Sequence, residues 1–223
     1  MAIKIYGVPF STCTARVVTV LNEKGVDYEL VFVNLPNGEH KQPPFLELNP
    51  FGQIPVLEDG DLRLFETRAI TKYLVYKYKD QGTDLVGIDD PKKVALVNVW
   101  AEVEAQHFNG AVAEVVEELL IKPRVLRLPP DEAVVEKHAA KLESVLDVYE
   151  ERLSKSKYLA GDFFSLADLH HIPYLHTLLR TPKAALVTGR PHVLKWWEDI
   201  SSRPAWVKTA EGMKFWDAPP PSA

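Results

Sequence analysis

The strongest constraint on the fold of this chain comes from residues 49–67, NPFGQIPVLEDGDLRLFET. Two short apolar runs, residues 54–57 and 62–65, flank the sequence Glu58-Asp59-Gly60-Asp61. Asp-Gly between such runs favours an antiparallel hairpin, because glycine readily adopts positive φ. We therefore expect two paired strands here, and the preceding Ile54-Pro55 bond is a plausible cis peptide.

Glu66 and Thr67 follow the second strand directly and precede apolar residues at helical spacing. Both side chains therefore lie where the free N–H groups of a starting helix need an acceptor. We expect them either to cap that helix or to bind a ligand.

The first 48 residues predict a strand, a helix and a second strand. Residues 3–6 alternate in polarity, Ser11 lies at or near a helix N-cap, and Lys24-Gly25 is a helix stop. Residues 28–33 form the next strand, and any helix before the hairpin is short and irregular. The order β-α-β-α-β-β-α predicts a thioredoxin-like α/β domain with a mixed four-stranded sheet over residues 1–80.

The second half of the chain has the 3.6-residue period of helices. Residues 81–90 read as a linker, and residues 91–223 predict an all-α domain with an extended tail from about 217. Its first helix starts at Pro91 and should end before Pro123, and a second spans about 131–153. A third opens at Ser165-Leu166-Ala167-Asp168, a capping-box pattern in which Asp168 is structural.

Composition narrows the possible partners and the compartment. The 223 residues carry a formal net charge of −5, which offers no basic surface for nucleic acid or a membrane. No apolar run approaches the roughly 20 residues of a membrane helix. The single cysteine, Cys13, excludes an intramolecular disulfide, so we expect a cytoplasmic protein.

A metal site is not expected, although His170, His171 and His176 lie near Asp168. Adjacent residues on a helix point about 100° apart, and no two of these histidines are four residues apart. We expect no bound cofactor either.

Several motifs together resemble the plant-type phi class of glutathione S-transferases. They share their order and spacing with that family over nearly the whole chain to Trp206. They are Ser11-Thr12 before Arg16-Val17, Glu39-His40-Lys41, Asn49 to Pro55, Glu58 to Asp61, Leu64 to Ile70, and Tyr158 to Gly161 followed by Leu166 to Leu169. The resemblance implies a glutathione-binding first domain, a helical domain that lines the electrophile site, and a homodimer.

The same resemblance implies conjugation of glutathione to hydrophobic electrophiles, with peroxidase activity on organic hydroperoxides in some members. The glutathione thiol has a pKa of about 8.5 or somewhat higher, and its thiolate is the nucleophile. Ser11 would stabilise that thiolate by a hydrogen bond at the positive pole of its helix. The alternative is that Ser11 is only an N-cap residue.

By the resemblance, six residues bind the backbone and ends of glutathione: His40, Lys41, Gln53, Ile54, Glu66 and Thr67. The first two would face the glycyl carboxylate, the middle two the cysteinyl backbone, and the last two the γ-glutamyl end. Charge complementarity supports each pairing. Taken singly, the first pair also suits a solvated loop and the last pair a helix cap.

The electrophile pocket should be apolar and lie between the two domains. Six residues are candidates from their position: Phe10, Leu35, Phe108, Val112, Val116 and Leu119. They serve equally well as core.

Two alternatives to a transferase stay open at this point. A carrier of flavonoid-like compounds would use the same pocket without needing catalysis. A thiol transferase would rely on Cys13, whose position near a helix N-terminus favours thiolate formation, although related cysteine-using classes place that residue at the Ser11 position.

Overall fold

A computed structural model describes residues 3–217; the proposed tail beyond residue 217 lies outside the described residues. The strands form one sheet of order β2-β1-β3-β4. Their bounds are β1 Ile3–Gly7, β2 Tyr28–Phe32, β3 Val56–Asp59 and β4 Leu62–Leu64.

The sheet is mixed, as the sequence predicts. β1 pairs in parallel with β2, and β1 with β3 and β3 with β4 are antiparallel. The hairpin turns at Gly60, whose φ of 68° is the left-handed conformation that favours glycine. The Ile54-Pro55 bond is cis. The thioredoxin-like order of elements is confirmed.

The helices that accompany the sheet include one that begins after Ser11 and ends at Lys24, as predicted. They are α1 Thr12–Lys24, a 3₁₀ turn Glu39–Lys41, the short α2 Pro43–Leu46 and α3 Thr67–Lys77. Ser11 is the N-cap of α1, and Gly25 ends it with φ 64°. The buried strand residues Ile3 and Ile5 belong to the core of this unit.

The chain divides into two compact units, one of residues 1–84 and 204–214 and one of residues 85–203 and 215–223. The division at 84/85 falls inside the predicted linker, residues 81–90. Segment 204–214 differs from the prediction, which placed it in the helical domain. Its Thr209 accepts hydrogen bonds from Thr19 and Asn22 of α1, and these side-chain contacts bring it into the first unit.

The second unit is helical, as predicted. Its helices are α4 Pro91–Val103, α5 Asn109–Val116, α6 Glu132–Leu153, α7 Leu166–Leu169, α8 Ile172–Leu178, α9 Ala185–Thr188 and α10 Pro191–Ser201. A 3₁₀ turn, Pro182–Ala184, precedes α9. Helix α11, Pro204–Ala210, and part of the 3₁₀ segment Glu211–Trp216 belong to the first unit.

The prediction of one uninterrupted helix from Pro91 that ends before Pro123 is wrong in two respects. Two π-helical segments, Glu104–Phe108 and Glu117–Leu126, interrupt it, and the second contains Pro123. In an α-helix the proline ring would clash with the carbonyl four residues earlier. A π-helical turn is wider, with hydrogen bonds spaced five residues apart, so the helix continues to Leu126.

The predicted capping box at the start of α7 is confirmed. The Asp168 carboxylate is fully buried and accepts hydrogen bonds of 3.0 Å from the Leu159 and Ser165 N–H groups, the Ser165 hydroxyl and Trp196 Nε1. Four donors from three parts of the helical unit therefore converge on one carboxylate. No helix among residues 3–217 is long and apolar enough to cross a lipid bilayer.

Candidate functional site

The sheet topology brings the predicted binding segments of the first unit to one end of the sheet. β1 and β2 are parallel, so the turn before Ser11 and the chain leading to His40 leave the sheet at the same end. The antiparallel register pairs Tyr6 with Val56 and Leu57 with Leu64. The start of β3 and the end of β4 therefore lie beside the end of β1.

Ser11 occupies the N-cap of α1 in extended backbone conformation. Its Oγ accepts a hydrogen bond from the Thr14 N–H at 3.3 Å, and the side chain is half-buried. Because the oxygen accepts that bond, the hydroxyl hydrogen is available for an outside acceptor. The positive pole of a thirteen-residue helix lies at the same point.

Glu66 does not cap α3, one of the two roles that its position allows. Its side chain is exposed and makes no capping hydrogen bond, and its backbone has φ 67° and ψ 104°. Such a conformation is unfavourable for a residue with a Cβ and typically persists at ligand sites. Thr67 begins α3 with only 8% of its surface exposed. The first N–H groups of α3 can therefore bind an anion.

Asn49 organises the loop that carries Gln53 and Ile54. It is 3% exposed, its Nδ2 donates to the Gln53 backbone oxygen at 2.8 Å, and its Oδ1 accepts from the Phe51 N–H at 3.0 Å. The sequence alone indicates only a turn at Asn49. A buried amide that bonds the backbone on both sides fixes where the exposed Gln53 and half-buried Ile54 lie.

The loop and the 3₁₀ turn Glu39–Lys41 are in direct contact. Lys41 Nζ donates to the Phe51 backbone oxygen at 3.1 Å. A Cβ on Gly52, whose φ is 58°, would lie 2.6 Å from the His40 backbone oxygen, so only glycine allows this approach. His40 and Lys41 are therefore held against the loop that carries Gln53.

His40 differs from its expected role as a cation. Burial, and secondly the charge of Lys41, lower the pKa of His40 below its usual 6.5. The imidazole is therefore largely neutral at pH 7, and its Nδ1 is enclosed without a hydrogen-bond partner among the described residues. The positive charge for a carboxylate comes from Lys41, whose side chain is exposed.

Three of the six residues predicted to line an electrophile pocket lie in the core of the second unit instead. Phe108, Val112 and Val116 have no exposed surface, and the Phe108 ring packs 4.5 Å from His171 and stacks on Tyr149. Phe10, Leu35 and Leu119 remain partly exposed, so their role stays a prediction.

Cys13 and His171 contact other protein groups. Cys13 is half-buried, and Arg16 Nη1 lies 3.9 Å from its sulfur. His171 is buried, with Nε2 2.9 Å from the Tyr149 hydroxyl and Nδ1 2.7 Å from the Ala167 backbone oxygen. Across residues 3–217, no group of three or more His, Cys, Asp or Glu side chains is arranged to hold a metal ion.

Two family models match the sequence. "Glutathione S-transferase, N-terminal domain" matches residues 1–76, and "Glutathione S-transferase, C-terminal domain" matches residues 111–204. Among curated relatives, glutathione S-transferase F13 of Arabidopsis thaliana is 51% identical over 213 residues, which are 96% of this chain and 97% of the relative.

Solved structures give the same result. Glutathione transferase F7 from Populus trichocarpa superposes with a TM-score of 0.93 at 55% identity, covering 95% of this chain and 99% of its own. A maize glutathione S-transferase I in complex with an atrazine glutathione conjugate has a TM-score of 0.88 at 43% identity, and both chains are covered completely. The fold is thus that of solved glutathione transferases.

Proposed function

This chain belongs to the glutathione S-transferase family, and we propose that Ser11 is the residue with which it activates the glutathione sulfur. The chain is a glutathione transferase, which conjugates the glutathione thiolate to hydrophobic electrophiles. The placement of Ser11 carries the proposal, because its hydroxyl hydrogen and the positive pole of α1 meet at one point.

Ser11 acts as a hydrogen-bond donor and not as a nucleophile. Its Oγ accepts from the Thr14 N–H, which orients the hydroxyl, and the hydroxyl then donates to the glutathione sulfur. The bond favours the thiolate over the thiol, because only the charged sulfur is a strong acceptor. The thiolate attacks the electrophilic carbon and displaces the leaving group, and Ser11 keeps its proton throughout.

The two effects are large enough to ionise the thiol near neutral pH. A hydrogen bond to a charged group contributes about 1.5–3 kcal/mol and a helix pole about 0.3–1 kcal/mol. One pKa unit corresponds to about 1.4 kcal/mol, so the pKa of the bound thiol falls by about 1.3–3 units. A thiol that starts at about 8.5 is then ionised to about 40% or more at pH 7.

The other predicted residues supply recognition. Glu66 lies at the exposed start of α3 and would pair with the γ-glutamyl ammonium, while Thr67 and the free N–H groups of α3 would bind the adjacent carboxylate. Gln53 and the Ile54 backbone would pair with the cysteinyl peptide groups. Lys41 would bind the glycyl carboxylate, with His40 as a neutral neighbour.

Replacement of Ser11 tests the mechanism. In Ser11→Ala, we expect kcat/KM with a model aryl halide at pH 6.5 to fall about ten- to a hundredfold. The pKa of enzyme-bound glutathione, followed by thiolate absorbance, should rise toward its value in water. Ser144→Ala, which removes an exposed hydroxyl from α6, is the matched control. An unchanged thiol pKa in Ser11→Ala would show that Ser11 is only a helix cap.

Peroxidase activity, the carrier role and the Cys13-based thiol transfer stay predictions. Retained dye binding together with lost turnover in Ser11→Ala supports the enzyme over the carrier. A Cys13→Ser variant that keeps full glutathione-dependent disulfide reduction would remove the thiol-transferase alternative.

We further propose a phi-class enzyme that forms a homodimer in the cytosol. The phi class is supported by the similarity to the plant phi-class enzymes F13 of Arabidopsis thaliana and F7 of Populus trichocarpa. Support for the dimer comes from exposed apolar residues three apart on α4, Leu96 and Val99, and from the exposed Phe51 ring of the first unit.

A further inference from the structure

The segment 204–214, which we name the C-terminal brace, lies along α1 within the first unit. Asn22 Nδ2, in the last part of α1, donates to Thr209 Oγ1 at 3.0 Å and to the Ala205 backbone oxygen at 3.4 Å. The Thr19 hydroxyl donates to Thr209 Oγ1 at 3.2 Å. As residue numbers rise along the brace, its contacts thus move toward the N-terminal end of α1.

The brace ends against the turn that precedes α1. A Cβ on Gly212 would lie 2.8 Å from Pro9 Cβ and 3.1 Å from the Pro9 backbone oxygen. The first distance is too short for two carbon atoms, and neither partner is the movable end of a flexible side chain. Gly212 is therefore required by the space available, and its neighbour Met213 is fully buried.

Pro9 is one residue of a tight turn that ends at Ser11. The Ser11 N–H donates to the Val8 backbone oxygen at 3.1 Å, which makes Pro9 and Phe10 the central residues of a four-residue turn. Val8 is buried and cannot move easily. A displacement of Pro9 therefore passes to Phe10 and Ser11.

We propose that Gly212 is a positioning residue for the transferase reaction, because its lack of a side chain lets the C-terminal brace support Pro9 and so fixes the direction of the Ser11 hydroxyl. The inference rests on the proposed role of Ser11. Specifically, a side chain at position 212 should weaken thiolate stabilisation while leaving the residues that bind the ends of glutathione in place.

Gly212→Ala tests the proposal, with Gly110→Ala as the control because a Cβ at Gly110 has open space around it. We expect kcat/KM at pH 6.5 to fall about tenfold, since a small misplacement of a catalytic group is costly. The pKa of the bound thiol should rise by about half to one unit, with the KM for glutathione within about twofold of wild type. Gly110→Ala should leave the thiol pKa unchanged.

Two double-mutant cycles show whether the effect follows the proposed route. In a Ser11→Ala background, Gly212→Ala should not shift the thiol pKa further. In a Pro9→Gly background, which removes the nearest atom, Gly212→Ala should cost less than in wild type. If Gly212→Ala alone folds poorly, the double variant Pro9→Gly/Gly212→Ala can be measured instead, because it lacks the clash with Pro9 Cβ.

The outcomes that overturn the inference are distinct from those that overturn the role of Ser11. If Ser11→Ala raises the thiol pKa but Gly212→Ala does not, or if their effects add in full, Gly212 does not act through Ser11. If Ser11→Ala leaves the thiol pKa unchanged, the proposed mechanism and this inference fail together.

Discussion

The buried side-chain amide of Asn49 donates a 2.8 Å hydrogen bond to the Gln53 backbone oxygen and thereby sets the loop that enters β3. Asn49→Ala leaves that oxygen and the Phe51 N–H without their side-chain partner. Phe51 and Gln53 are exposed residues, so water can reach the freed backbone groups, and each lost hydrogen bond costs about 0.5–1.5 kcal/mol. We therefore expect a lower melting temperature. We also expect a KM for glutathione raised about tenfold, because Gln53 and Ile54 lose their fixed position.

Asn37→Ala is the control for this prediction, since Asn37 is exposed in the same unit. It should change neither quantity. A normal KM for glutathione in Asn49→Ala would mean that the loop keeps its shape without the amide.

Glu66 combines a strained backbone with an exposed carboxylate, and two variants separate these properties. Glu66→Gly relieves a backbone conformation that costs about 1–3 kcal/mol. Glycine also raises the conformational entropy of the unfolded chain, which costs about 1 kcal/mol of stability. The free energy of unfolding should therefore stay equal or rise. Glu66→Gln keeps the strain and removes the charge. Both should raise the KM for glutathione, because both remove the carboxylate that we propose as the partner of the γ-glutamyl ammonium.

Arg127→Gly is the strain control, because Arg127 also has a positive φ, 55°, at the end of the second π-helical segment. Its stability should rise with an unchanged KM. Loss of stability in Glu66→Gly would show that the Glu66 side chain contributes contacts that outweigh the strain.

The sequence predicted the elements whose signals are local. Gly25 ends α1, the Asp59-Gly60 pair forms the hairpin turn, and Ser165 with Asp168 starts α7. Each of these signals acts on backbone groups only a few residues away, so the short sequence motif already includes the residues that form the structure.

Features that depend on distant parts of the chain were missed. Glu104 is fully buried in a π-helical segment, whereas a periodicity of 3.6 residues predicts continuous α-helix. The brace joins the first unit through Thr209, about 190 residues from its partner Thr19. The sequence does not distinguish Asn49 from other asparagines in turns, because it does not show that the Asn49 side-chain amide is buried.

Lys41 should supply the charge for the glycyl carboxylate without help from His40. Lys41→Gln keeps a donor for the Phe51 backbone oxygen and removes the charge, so S-methylglutathione should bind about two- to fivefold more weakly, as for an exposed ion pair. Because the pKa of His40 is lowered from its usual 6.5, the imidazole is mostly neutral at and above that pH.

Binding of S-methylglutathione, which has no ionisable thiol, should therefore stay constant from pH 6.5 to 8 in calorimetric titrations. Added salt should weaken binding in wild type more than in Lys41→Gln. Lys155→Ala, on the second unit, is the control. Affinity that falls as the pH rises through 6.5 would instead make His40 a required cation.

The apolar surface of α4 predicts how the proposed homodimer can be disrupted. Val99 is 55% exposed beside Leu96, and Val148 on α6 is 56% exposed but without an apolar neighbour of similar exposure on its helix. Val99→Glu should convert the dimer to a monomer in sedimentation experiments, because a charge cannot be buried unpaired in an interface. Val148→Glu, equal in exposure and chemistry, should stay dimeric. If both variants remain dimeric, the interface does not include Val99.

Asp168 predicts a pH dependence of stability with a definite sign. Burial raises its pKa to about 6 from 3.8, against the lowering effect of its four donors. The folded state therefore binds a proton between pH 6 and 3.8 that the unfolded state does not bind, and the contribution of this group to stability rises as the pH falls through 6. Ser165 Oγ, 3.0 Å from Oδ2, can turn to accept that proton.

Asp168→Asn removes this titration and turns an N–H₂ group toward two donors. We expect it to destabilise at pH 7.5 by about 1–3 kcal/mol. The difference in unfolding free energy between wild type and variant should grow by about 1.4 kcal/mol from pH 7.5 to 5 in urea titrations. His176, whose pKa burial lowers to about 4, makes both proteins less stable as the pH falls below 6.5, so its effect cancels in the difference. A difference that is constant with pH would mean that the donors hold Asp168 ionised throughout this range.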